Sequence, residues 1–344
     1  MSIPPDSTLM FAEAAEAGAA VERQLVTNAD RVRDLAQRLR SSSPRAVVTY
    51  ARGSSDHAAT FAKYVIETRV GLLTSSGAPS IASVYRDAPD FRDTLALAVS
   101  QSGQSPDILA AINKARSGGA LAVAMVNAEG SPLEAIADAT VPLCAGPERS
   151  VAATKSYISG LAAVLHLVAE WTEDAVLMGA LQASPDSLRQ AFHCDWSPLV
   201  DCLKSARDLY VIGRGPGLGV AQEAALKLKE TCRLHAEAFS AAEVRHGPME
   251  LVGPDFPLLV FRQSDESAEG VEDLAREMIN RGAPVFVAGG EVHGATSLPG
   301  PGGHELIEPL LHIQALYRAA NQLSVELGRD PDRPQHLRKV TETV

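Results

Sequence analysis

The sequence predicts an α/β protein: two tandem domains, each a doubly wound parallel sheet flanked by helices. Three observations lead there. Short apolar runs alternate with helix-like segments along most of the chain, the pattern of strands buried on both faces of a parallel sheet. A strand, glycine turn and helix occur in that order at 46–68 and again at 209–232, an internal duplication at a spacing of roughly 160 residues. With 344 residues, 46% of them hydrophobic, the chain is large enough for two packed cores.

Taken in order, residues 6–40 mix alanine, leucine and charges with no proline, which predicts one or two amphipathic helices for packing and subunit contact. The breaker around Pro44 introduces a β-branched strand at 46–50, the turn Arg52-Gly53-Ser54-Ser55 and a helix over 56–68. Strands at 94–99, 121–126 and 140–143 follow, with helices at 108–116 and 132–137 between them, and a long helix over 152–170 closes the first domain. Prolines at 185 and 198 mark a helical connector. The second half repeats the plan with strands at 209–212, 257–261, 284–288 and 306–307 and helices at 220–232, 271–280 and 312–327. The expected divisions are a helical segment 1–40, a first domain 41–182, a connector 183–198, a second domain 199–329 and a C-terminal tail 330–344.

Composition narrows the function. A formal charge of −11 without a lysine or arginine cluster argues against a nucleic-acid partner. No run of eighteen apolar residues is present and MSIPPDSTLM lacks the regions of a signal peptide, so the expectation is a soluble, cytoplasmic protein away from membranes. Cys144, Cys194, Cys202 and Cys232 form no CxxC pair or metal spacing and read as reduced, partly buried thiols. Gly213, Gly215 and Gly219 miss the dinucleotide fingerprint by one residue, so neither a cofactor nor a metal is expected.

Two stretches carry candidate chemistry. On the predicted helix at 220–232, Lys227 lies four residues after Glu223 and three before Glu230, so the three side chains can meet on one face. With His246 in a His-Gly-Pro loop nearby, a carboxylate beside a lysine suggests proton transfer. Spacing alone favours a plainer reading, a solvated face with weak ion pairs and an incidental histidine. The second stretch, Ser100-Gln101-Ser102-Gly103-Gln104-Ser105, joins a predicted strand to a helix N-terminus, where a parallel sheet binds ligands and backbone N–H groups favour an anion. There Ser105-Pro106 also reads as an N-cap followed by proline at the first helical position, and the two readings are compatible.

EAALKLKE at 223–230, HAEAFSAAEVRHGP at 235–248 and the C-terminal HLRKVTETV closely resemble the isomerase half of the glucosamine-6-phosphate synthase family, a tandem pair of sugar-isomerase (SIS) domains. More thinly, the resemblance runs from about Tyr50 to the end. It implies that Glu230 moves a proton between C1 and C2 of the sugar, that His246 opens the ring from a neighbouring subunit of a homodimer, and that Lys227 and Lys339 stand beside the base and the carbonyl. It implies phosphate and sugar contacts from Ser100, Gln101, Ser102 and Ser105, from Ser54 and Ser55, and from Val151 and Ala152 in the segment 148–155. Two departures bear on the pocket: Ala153 stands where a hydroxyl residue is common, and Arg338 replaces a small residue before Lys339. The synthase's glutaminase domain starts with a cysteine after the initiator methionine, whereas here Ser2 follows Met1 and the first sugar domain begins by about residue 45. The expected reaction is therefore deamination of glucosamine-6-phosphate to fructose-6-phosphate and ammonia. The alternatives are another amino-sugar or fructosamine phosphate, a partnership with a separate glutaminase, and a non-catalytic sugar-phosphate sensor.

Overall fold

The computed structural model describes residues 4–85 and 89–339. Residues 340–344 of the expected C-terminal tail lie outside them. Helices α1 (Leu9–Ala15) and α2 (Ala17–Ser42) precede β1 (Ala46–Tyr50), α3 (Ser54–Arg69), β2 (Thr74–Ser76), α4 (Pro79–Ser83), β3 (Thr94–Ser100), α5 (Pro106–Ser117), β4 (Leu121–Val126), α6 (Pro132–Ile136) and β5 (Ala139–Pro142). Then come α7 (Lys155–Thr172), α8 (Ala175–Phe192), α9 (Ser197–Leu203), β6 (Asp208–Gly213), α10 (Gly217–Cys232), β7 (His235–Ser240), β8 (Leu258–Phe261), α11 (Ala268–Asn280), β9 (Val285–Ala288), β10 (Thr296–Leu298) and α12 (Glu308–Glu326).

Both sheets are wholly parallel and share one topology. The first runs β2-β1-β3-β4-β5 and the second, read from the other edge, β7-β6-β8-β9-β10. The duplication expected from sequence is therefore a duplication of strand order. In each sheet the chain moves one way from the first strand and the other way from the third. Right-handed crossovers then place the intervening helices on opposite faces and leave a crevice between first and third strands. Central strands are buried throughout: every residue of β3 and of β8 is buried, and the polar Thr94 and Ser100 stand at the two ends of β3. The chain divides into two compact units. One holds the first sheet, as Ala19–Pro147 and Ser156–Gln182. The other holds the second sheet together with the N-terminal residues up to Gly18, Glu148–Lys155 and Ala183–Lys339.

Three strands differ from expectation. Leu306 and Ile307 are buried but lead into α12, and Pro309 in its first turn is the start signal that an apolar pair obscures. The last strand of the second sheet is instead β10. Edge strands β2 and β7 lack apolar runs because only part of each is buried, so their sequences, TSS and HAEAFS, show little strand pattern. Residues 183–192 of the expected connector lie inside α8, which continues through Pro185. No helix among the described residues is long and apolar enough to cross a membrane.

His312 sits on α12 with its ring stacked on Phe261, centroids 5.7 Å apart, and its Nδ1 has no hydrogen-bond partner among the described residues. Burial pushes its imidazole down to about 4. In an unfolded chain it titrates near 6.5, so between these values the unfolded state takes up a proton that the folded state refuses. Its contribution to stability is thus full above pH 6.5 and declines as pH falls towards 4, by at most about 3 kcal/mol. We expect His312→Leu to lose less stability than wild type between pH 7 and pH 4.5 in denaturant titrations; parallel losses would show that His312 takes up its proton as readily in the folded state as in the unfolded one.

Candidate active site

In the unit of the second sheet, the site grows from α10. Gly215 is left-handed at φ 56 and Gly217 opens the helix so close to Gln263 that a β-carbon would lie 2.2 Å from its Oε1. The glycine-rich turn is thus a packing device. Ten residues on, Lys227 is 1% exposed and Glu223 0%. The Lys227 ammonium meets Glu230 and lies 3.5 Å from Glu223 Oε1, which accepts a hydrogen bond from Tyr317 Oη of α12 at 3.2 Å. Burial would lower the Lys227 pKa, but Glu223, Glu230 and Glu148 outweigh it and hold the ammonium above its ordinary range. The solvated face that spacing favoured is therefore wrong, because α12 covers it. Of the two carboxylates touching Lys227, only Glu230 keeps an edge in solvent, with 20% of its side chain exposed.

The segment 148–155 adds a second group in the same unit. Buried Glu148 accepts from Thr154 N at 2.9 Å and pairs with Lys339 at 3.4 Å, while Lys339 donates to Ser150 O at 2.7 Å. Glu13 accepts from Arg149 N and Ser150 N, and Val151 N donates to Asp332 O at 3.1 Å. These bonds fix half-buried Val151 and buried Ala152. Because the Glu148 charge also acts on Lys227, Lys339 and the α10 cluster share one electrostatic neighbourhood.

His246 stands apart from that cluster. It ends the exposed 3-10 turn Glu243–His246, whose Val244 packs with Tyr210 and Ile212 of β6 and with Val271, Leu274 and Met278 of α11. This is the α11 face of the sheet, whereas α10 covers the other and packs on α12. Val244 thus ties this turn to the sheet face opposite α10.

The other unit carries the expected phosphate loop at its crevice, after β1 and β3. Ser54 and Ser55 open α3, half-buried, behind left-handed Gly53. The Ser100 hydroxyl accepts from Gly103 N at 2.9 Å, and that of Ser102 from Gln104 N at 3.3 Å. Gly103 has φ 63, and a β-carbon there would lie 2.4 Å from Ser131 Oγ, so glycine is required. Gln101 is half-buried. Ser105 occupies the N-cap position of α5 with Pro106 behind it, yet its hydroxyl makes no capping bond. The structure also brings in residues that sequence reasoning missed: Tyr317, Glu148, and the Arg52–Asp107 pair. All four act across long sequence separations, and no local pattern marks them.

Two parallel five-stranded sheets of one shared order define a tandem α/β protein, with a lysine–carboxylate cluster on one helix of the second sheet. The SIS domain model matches residues 41–169 and 202–288, and the chain belongs to the SIS-domain family. A glutamine–fructose-6-phosphate aminotransferase [isomerizing] of Aeropyrum pernix is 37% identical over 310 residues, 83% of this chain and 49% of that protein. The chain thus spans about half the length of the curated relatives it matches. A crystal structure from Silicibacter pomeroyi, described as a candidate phosphosugar isomerase, superposes with TM-score 0.91 at 42% identity, covering 94% of this chain and all of that one. The glucosamine-6-phosphate deaminase of Thermotoga maritima shares the fold, with TM-score 0.80 at 20% identity over 98% of this chain and 100% of its own. An isomerase-type enzyme acting on phosphosugars is the activity class these relationships support.

Since Glu223 is fully enclosed, Lys227→Met removes the ammonium 3.5 Å from its carboxylate and is expected to destabilise the fold by about 3–5 kcal/mol. A loss of only a few tenths, as for an exposed i,i+4 pair, would return these residues to the surface.

Proposed function

We propose that the chain is an amino-sugar phosphate deaminase that uses aldose–ketose isomerase chemistry on glucosamine-6-phosphate. The observation that carries this reading is the partly open Glu230 carboxylate held against an enclosed ammonium. In the proposed sequence, ring opening frees the C1 aldehyde. Glu230 removes the C2 proton and returns it to C1, converting the 2-amino aldehyde into a C2 imine. Water then adds to the imine, and fructose-6-phosphate and ammonia leave. Lys339 would steady the developing oxygen charge near C1, and Ser54, Ser55, Gln101 and the hydroxyls of the 100–105 loop would bind the sugar phosphate. Val151 and Ala152 would line the sugar. None of this chemistry requires a metal or an organic cofactor.

Burial raises the pKa of Cys144, Cys194 and Cys202, and pushes Cys232 up to about 12, which disfavours their thiolates and supports release of ammonia over its capture from glutamine. Free ammonia, mostly protonated at neutral pH, would have to serve the reverse reaction. The aminotransferase relatives support a second reading, in which a separate glutaminase supplies nitrogen for synthesis.

Assaying ammonia release over a panel of amino-sugar phosphates decides between them: glucosamine-6-phosphate should be deaminated by the chain alone. Synthesis appearing only when a glutaminase is added would favour the second reading. Glu230→Gln should lower turnover by about 10²–10⁴-fold while phosphosugar binding persists. Normal exchange of the C2 proton with heavy water in that variant would remove Glu230 from its role.

Ring opening needs an acid–base group, and the position of His246 supports taking it from a second copy of the chain, since it is exposed on a turn packed against the sheet face opposite α10. Mixing inactive Glu230→Gln and His246→Ala chains should then restore part of the activity through hybrid sites. Verified mixed dimers with no recovery would place His246 outside a shared site.

A further inference from the structure

The crevice between β1 and β3 holds a charged pair that the proposed chemistry leaves unused. Arg52 lies two residues beyond Tyr50, and Ser100 two beyond Ala98; Tyr50 and Ala98 are register partners, so both residues leave the sheet at the same level. Asp107, in the first turn of α5, is fully buried. Arg52 Nε and Nη2 donate to its Oδ2 at 2.8 and 2.5 Å, and its Oδ1 accepts from Ile108 N at 2.8 Å.

A guanidinium presents its five N–H groups as two forks. The side-on fork of Arg52 is taken by Asp107. The end-on fork, Nη1 with the remaining proton of Nη2, meets no acceptor among the described residues, and half of the side chain is exposed. Because Asp107 follows Ser105 and Pro106 directly, this tether holds the guanidinium at the turn where the 100–105 loop enters α5. Within 51–55 and 100–105, Arg52 is the one lysine or arginine. A phosphate dianion approaching a chain of net charge −11 meets its local counter-charge here.

We propose that Arg52 is the cationic ligand of the substrate phosphate. Asp107 fixes the plane of the guanidinium, and the open fork receives phosphate oxygens beside the loop hydroxyls. This inference rests on the reading of residues 100–105 as the phosphate loop and adds the charged contact that makes the loop selective for a dianion.

Binding rather than turnover tests it, with fructose-6-phosphate followed by calorimetry and inorganic phosphate by phosphorus NMR, at low and high salt. Arg52→Gln alone would remove the guanidinium from the buried Asp107 carboxylate, so the decisive variant is Arg52→Gln with Asp107→Asn, a neutral pair that can still hydrogen-bond. It should bind both ligands about tenfold or more weakly, with a shallower salt dependence. Arg52→Lys keeps the charge without the fork and should fall between it and wild type. Wild-type affinity in the folded double variant, or in Arg52→Lys should the double variant not fold, would reduce Arg52 to a strut between β1 and α5. Ser102→Ala separates the two levels of the argument. If it weakens phosphate binding and the Arg52 variants do not, only the role of Arg52 falls; if none weakens it, the phosphate loop falls as well.

Discussion

An ammonium shut away from water is the constraint around which α10 is arranged. Lys227 cannot keep its charge at 1% exposure unless carboxylates surround it, and the helix supplies them one turn before and one turn after. The two carboxylates then part ways. Glu223 is capped by Tyr317 and disappears into the packing with α12, while Glu230, near the end of the helix, keeps contact with solvent. A pattern of carboxylates at i−4 and i+3 thus becomes an unequal pair: one carboxylate is enclosed with the lysine and the other keeps an edge in solvent.

That outcome shows where sequence is informative. Strands with continuous apolar runs, such as β3 and β4, are readable because burial on both faces excludes polar residues. Edge strands β2 and β7 are half solvated, so their composition resembles loops. The lysine and its two glutamates were readable as neighbours on one helical face, but not as buried neighbours. Surface and buried triads share the same spacing, and only the Tyr317 face of α12, some ninety residues away, decides between them. The same limit applied to Glu148, whose contact with Lys339 joins residues 191 apart, and to His246, whose side of the sheet depends on the handedness of two crossovers.

The shared strand order gives the chain two crevices, and the loops after their third strands differ. Ser100-Gln-Ser-Gly-Gln-Ser105 after β3 corresponds to Arg262-Gln-Ser-Asp-Glu-Ser267 after β8, with Ser105 and Ser267 each at the N-cap position of the following helix. In the second loop, Ser264 gives its N–H and its hydroxyl to the Glu308 carboxylate at 2.7 and 2.9 Å. Asp265 takes the N–H and hydroxyl of Ser267 at 2.9 and 2.5 Å. The donors that would receive an anion are therefore already paired with carboxylates of the chain itself, and a phosphate arriving there would face two negative charges. Of the equivalent serines of the first loop, the Ser102 hydroxyl accepts from Gln104 N within its own turn and the Ser105 hydroxyl makes no capping bond. Ser102 and Ser264 occupy matching places in matching sheets, so the difference between a loop open to an anion and one already satisfied comes down to two acidic side chains, Asp265 where the first loop has glycine and Glu308 at the start of α12.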